Sequence, residues 1–184
     1  MSGIAGIVNM NGAPVSRDLL ARMAAFLRFR GPDAQNVWCD FAVGFAHALL
    51  DTSLDIQGGG AADKQPCSID GRVWIVADAR IDALTQLNEE LRSSGITVPV
   101  GASDAEIILL AYQAWGKDCV HHLIGDFAFA IWDGPGKQLF RPRSVWSQAF
   151  LLCRPDRVFG FQQHAELFAS PSRGIVPFKR FGDQ

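Results

Sequence analysis

Ser103-Asp-Ala-Glu-Ile-Ile-Leu-Leu-Ala-Tyr-Gln-Ala-Trp115 is the stretch from which the fold can be read outward. Ser103 and Glu106 have the spacing of a capping box, in which each side chain takes an orphan backbone donor at a helix start. The apolar run Ile107–Trp115 continues at helical spacing, and Gly116 marks its end. A second helix is expected just before it, capped by Asp82, carrying Leu84, Leu87 and Leu91, and stopped near Gly95.

Strand patterns lie on both sides of this helical centre. Upstream, Gly3–Val8 alternates small and branched apolar residues and reads as a buried strand. Ser16 can cap a helix reaching Arg28, with Leu19, Leu20, Met23, Phe26 and Leu27 at helical spacing. Arg30-Gly-Pro-Asp33 is a turn, and short strands follow near Asn36–Cys39, Val43–His47 and Arg72–Asp78. Downstream, Phe127–Trp132, Gln138–Arg141, Ala149–Cys153 and Arg157–Phe161 have strand character. Strand groups bracketing central helices predict an α+β layered domain.

With 184 residues, the chain has the length of one domain and can bury roughly 70% of its unfolded surface. Seventeen basic against nineteen acidic residues give a net charge of −2, which leaves no basic footprint for nucleic acid. The apolar stretch Phe127–Trp132 is far too short to span a membrane. Met-Ser-Gly-Ile-Ala-Gly has neither a basic n-region nor a long apolar run, so no signal peptide and a cytoplasmic location are expected. Cys39, Cys67, Cys119 and Cys153 lack a C-x-x-C spacing and are expected as reduced thiols, with no metal site. His121 and His122 are adjacent and cannot share a helix face, which suits a surface or helix end. Gly58-Gly-Gly60 lacks phosphate-loop spacing and reads as a surface loop, so no cofactor is expected. Trp74, Trp115 and Trp132 are expected in the core.

Six segments occur together in order: Ser2-Gly-Ile-Ala-Gly-Ile, Arg30-Gly-Pro-Asp33, Gly44…His47, Gln65-Pro66, Ser103-Asp-Ala-Glu106 and Asp126-Phe-Ala-Phe-Ala-Ile-Trp-Asp133. Together they resemble the N-terminal class II glutamine amidotransferase domain of asparagine synthetases, over about Met1 to Pro171. Related but degenerate versions occur in lasso-peptide cyclases and β-lactam synthetases. The resemblance implies an N-terminal-nucleophile hydrolase fold: a four-layer α-β-β-α sandwich of two antiparallel sheets. It also implies an amidotransferase-like domain over 1–175 and a tail at 176–184. In that family a cysteine follows the initiator Met. Once Met is removed, the freed α-amine acts as base while the thiol attacks the glutamine amide.

Carried over position by position, the resemblance gives a degenerate site. Ser2 stands at the nucleophile, where a hydroxyl is far harder to ionise than a thiol. It is either natural, as in serine-led relatives of the fold, or an engineered replacement of Cys. Met1, if retained, would leave Ser2 only a peptide nitrogen. Leu49 replaces the arginine that grips the glutamine carboxylate. Asp78 and Ala79 stand at the oxyanion-hole positions, and Arg80 replaces the carboxylate that holds the substrate ammonium. Asp104 alone keeps its family identity, although a first-turn acid also suits the helix dipole. In the tail, Pro142–Leu152 and Gln162-Gln-His164 keep apolar strand character but lose the family's polar and glycine positions. Asp78 and Arg80, two apart on a strand, share a face. Arg80 is therefore expected to fold into the old cleft and pair with Asp78 or Asp104.

Three functional readings follow. The first is a catalytically impaired glutaminase-type domain, a pseudoenzyme with a binding or structural role. The second is an active glutaminase subunit using Ser2, or a Cys-to-Ser form of one, that feeds ammonia to a separate ATP-dependent synthetase. The third is a small-ligand module, taking glutamine only if the pocket is open. No S-G-G-x-D-S pyrophosphate loop is present, so carboxylate activation would fall to the partner synthetase. A homodimer is compatible with all three.

Overall fold

The computed structural model describes residues 2–9, 11–51, 64–142, 150–154 and 157–159. Two sheets form the centre. The first has the order β2-β3-β1-β8-β9, built from β1 (Gly3–Val8), β2 (Ala34–Asp40), β3 (Val43–Leu49), β8 (Phe150–Arg154) and β9 (Arg157–Phe159). The second has the order β4-β5-β6-β7, from β4 (Cys67–Ser68), β5 (Val73–Asp82), β6 (Ile124–Asp133) and β7 (Gln138–Phe140). Pairing is antiparallel except between β1 and β8, which run parallel.

Three apolar clusters set the layers. Helix α1 (Arg17–Phe26) lays Leu20, Met23 and Ala24 on Ala5, Ile7, Ala46 and Ala48, the outer face of the first sheet. Helices α2 (Leu84–Ser93) and α3 (Asp104–Trp115) cover the other outer face, where Leu87, Leu91 and Ile108 meet Ile75, Ala77, Phe129 and Ile131. Between the sheets, Ile4, Val8, Val43 and Phe45 meet Val76, Ala128 and Ala130. Trp38 of β2 stacks on Trp74 of β5 at 4.5 Å, tying the two sheets together. The result is the α-β-β-α order of layers expected from the sequence. Trp74 and Trp132 pack, partly buried, against the inter-sheet cluster, and Trp115 packs against the helix layer.

Local signals account for most element ends. Ser16 caps α1 by accepting from the Leu19 amide, and Ser103 with Glu106 forms both halves of the capping box of α3. Asp82 does not cap α2. It is the last residue of β5, and the cap is Ala83 in a left-handed conformation (φ 54°) with no side-chain bond. Strand alternation aims the Asp82 carboxylate along the face of Arg80, away from the helix start. His122 follows a 3-10 turn at Gly116–His121, stacks flat on Trp115 at 3.8 Å and bonds Glu90 at 2.7 Å. Cys39 and Cys119 are free thiols. The Gly58–Gly60 stretch and Gln162–His164 lie outside the described residues.

Candidate functional site

Period-two alternation on β5 decides which side chains reach the inter-sheet space. Trp74 and Val76 face it, and Asp78, Arg80 and Asp82 continue that face to the end of the strand. On β1 the same logic puts Ser2 on the face of Ile4 and Val8, where Asp78 meets it.

Three bonds from three directions fix Ser2. Its backbone N–H donates to Asp78 Oδ1 at 2.9 Å. Its Oγ accepts from the Leu50 amide at 3.1 Å, just past the end of β3. Its carbonyl accepts from Arg30 Nε at 3.4 Å. Met1 lies outside the described residues. The Arg30-Gly-Pro-Asp33 turn therefore ties the site together as a loop clamp, and Asp33 Oδ2 accepts from the Asp51 amide at 2.8 Å. Gly31 makes this close approach feasible: a Cβ there would stand 2.0 Å from the Ala48 carbonyl oxygen.

Asp78 is half-buried, and burial pushes its carboxyl above the usual range. The Ser2 N–H bond, the positive amino terminus and Arg30 act in the opposite direction, while Asp126 adds to the rise. Ala79, on the other face, packs its methyl against the helix-side core.

The remaining predicted positions divide. Leu49 is 7% exposed and follows Val43, Phe45 and His47 on one face of β3. Its side chain is apolar and lies buried at the end of the strand. Asp104 opens α3, half-buried, directly behind the Ser103 cap.

Arg80 departs from expectation. Its side chain is 76% exposed and pairs with Asp82 at 3.3 Å, not with Asp78 or Asp104. Asp82 is as close to Arg80 along the strand as Asp78 is, and it lies nearer the solvent. Pairing there spares the guanidinium the cost of desolvation, and the Ser2 amide already occupies an oxygen of Asp78.

Leu50 escaped the sequence reading: it reaches Ser2 through its main-chain amide, which leaves no side-chain signature. Arg30 was legible as part of a turn, and its side chain ties that turn to the Ser2 carbonyl. His47 was visible only as a motif letter. It is fully buried with neither ring nitrogen bonded, and burial lowers its pKa to about 4, so the ring is neutral.

With this geometry in place, likeness to known proteins decides the family. Residues 1–179 match the family model of the glutamine amidotransferase domain. The chain belongs to that family. The asparagine synthetase (glutamine-hydrolyzing) 3 of Bacillus subtilis (strain 168) is 37% identical over 147 residues, 78% of this chain and 23% of that protein. The asparagine synthetase (glutamine-hydrolyzing) 1 of the same organism is 31% identical, over 78% of this chain and 22% of that protein. This amidotransferase domain is thus a class II domain of the asparagine synthetase type, and it spans about a fifth of the length of these relatives. Its two sheets lie between helix layers, in the α-β-β-α order that the resemblance implies. Among solved structures, the glutamine phosphoribosylpyrophosphate amidotransferase of B. subtilis aligns with a TM-score of 0.37 and 18% identity, over 50% of this chain and 21% of that one. No helix among the described residues is long and apolar enough to cross a membrane.

Proposed function

We propose that this amidotransferase domain is impaired in glutamine hydrolysis and acts as a binding or structural domain, with an ATP-dependent synthetase as its possible partner. The observation that carries the reading is Asp78 Oδ1 at 2.9 Å from the Ser2 nitrogen. A tetrahedral intermediate formed at Ser2 would develop its negative charge beside a carboxylate, where the reaction needs a donor. Losing one oxyanion donor typically costs about 10²–10³ in rate. Binding is weakened as well. Leu49 offers no charge-assisted bond to the glutamine carboxylate, a loss of roughly 1.5–3 kcal/mol. Arg80 carries the charge opposite to the one a substrate ammonium needs, and its side chain is turned to solvent.

The test is ammonia release from glutamine by the chain beginning at Ser2, beside a chain carrying Ser2→Cys, Leu49→Arg and Asp78→Asn. The natural chain should stay at background and the triple variant should rise above it by at least about 10²-fold, the share assigned to the oxyanion position. Turnover of glutamine by the natural chain at the rate of the triple variant would end this reading.

A further inference from the structure

The bond between Ser2 and Asp78 has a chemical consequence beyond the oxyanion position, one that rests on reading Ser2 as the family's nucleophile position. Ser2 is held at its nitrogen, its hydroxyl and its carbonyl by β5, the end of β3 and the turn at Arg30. Two of those three anchors do not involve the nitrogen, so removal of Met1 leaves Ser2 where it is. The nitrogen facing Asp78 then becomes an α-amine instead of a peptide N–H.

An amine can serve as base only while it is neutral. A carboxylate 2.9 Å away favours the ammonium, because a charge-assisted bond is roughly twice as strong as a neutral one and a half-buried setting screens it little. The other charged groups around the pair do not cancel this effect. Arg30 touches the Ser2 carbonyl from the turn and opposes the ammonium. Asp126 on β6 lies close enough to act on Asp78, and it favours a positive charge. Arg80 and Asp82 neutralise each other at the solvent edge of β5. Asp33 accepts from the backbone of Asp51.

We propose that Asp78 is an amine-holding residue: in the chain that starts at Ser2 it pairs with the α-ammonium and withholds the base that amide hydrolysis requires. The rim thus binds the protein's own amino terminus, a cation, and Asp78 positions that group.

The experiment uses the full chain from Ser2 to Gln184, released from an amino-terminal fusion by a protease that cuts before Ser2. Acylation of the α-amine is followed against pH by mass spectrometry of the amino-terminal peptide, for the natural chain and for Asp78→Asn. The same natural chain in denaturant supplies the unpaired reference. The folded natural chain should hold its α-proton about tenfold or more tightly than either comparison. Coincident labelling curves for the folded and denatured natural chain would overturn the proposal whether or not Asp78→Asn folds. Ammonia release is measured in the same samples, so the two readings fail separately. No ammonia with coincident curves removes the amine-holding role and leaves the impaired domain standing. Ammonia together with a tightly held proton removes both the impaired domain and the withheld base, and leaves only the pairing of Asp78 with the α-ammonium.

Discussion

The two faces of β5 are built from one strand and obey opposite rules. Its odd-numbered residues, Ile75, Ala77 and Ile81, are buried beneath α2 and α3 in a wholly apolar layer. Its even-numbered residues begin the same way with Val76 but end in Asp78, Arg80 and Asp82, a charged rim where Ser2 arrives from the other sheet. β6 repeats the split: Phe129 and Ile131 face the helices, while Ala128 and Ala130 face the other sheet and Asp126 lies at the rim. The helix side thus carries the information for folding, and the inter-sheet end carries the information for a site. A family member can therefore change its rim chemistry without touching the layer that makes it fold.

The comparison is strained hardest by a cut in the helix-side layer. Phe129 is 1% exposed and contacts Phe127 and Phe140 by ring packing. Phe129→Ala should cost about 3–5 kcal/mol, the transfer free energy of the ring plus the cavity it leaves. Urea unfolding followed by circular dichroism measures it. A loss under about 1 kcal/mol would mean that the helix layer does not hold the fold.

Next comes His47, which lies on the inter-sheet face of β3 with an unbonded, neutral ring. The unfolded chain takes up a proton near the ordinary histidine value of 6.5, whereas the folded chain waits until about 4. Stability from this group is therefore full above that ordinary value and is lost as pH falls to about 4. The loss is on the order of 3 kcal/mol. Asp78 works with the opposite sign: its raised carboxyl binds a proton more readily in the folded chain, so acidification favours the fold at that position. Subtracting the curve of His47→Leu from that of the natural chain isolates the histidine. The variant should lose most of the acid-limb slope, and parallel curves from pH 7 to pH 4 would contradict a buried neutral ring.

How much of this could be read in advance follows from the range of each determinant. The α3 capping box needs only Ser103 and Glu106, three residues apart, and it forms as the sequence implies. β1 is legible because Gly3–Val8 is apolar throughout and the chain there has one way to be buried. Asp82 failed as a cap because an acid before a helix is also a strand residue with a same-face neighbour, and Arg80 won it. Sequence order could set Ser2 and Asp78 side by side as candidates, since a resemblance carries positions, and the two do meet. It could not say that Ser2 would take its bonds from the Leu50 amide and Arg30, because those contacts join segments up to 48 residues apart. The isolation of the His47 ring is likewise a tertiary property, set by what the other sheet places against it.

The smallest expected effect is the sharpest test of the rim. Arg80 shares a face with both Asp78 and Asp82, so the alternation of β5 alone permits a buried pair or an exposed one. A guanidinium drawn into the cleft would be paired at the cost of desolvation, and truncating it would strand a buried carboxylate, a penalty of about 3–5 kcal/mol. An exposed pair at 3.3 Å, with the arginine side chain 76% in solvent, is worth about 0–1 kcal/mol and weakens with salt. Arg80→Ala should accordingly change the unfolding free energy from urea titration by no more than about 0.5 kcal/mol, and the change should vanish in molar salt. The same substitution leaves the bond between Ser2 and Asp78 in place, so the α-amine should label as it does in the natural chain. A multi-kilocalorie loss would move Arg80 back into the cleft, and with it the charge balance around Asp78.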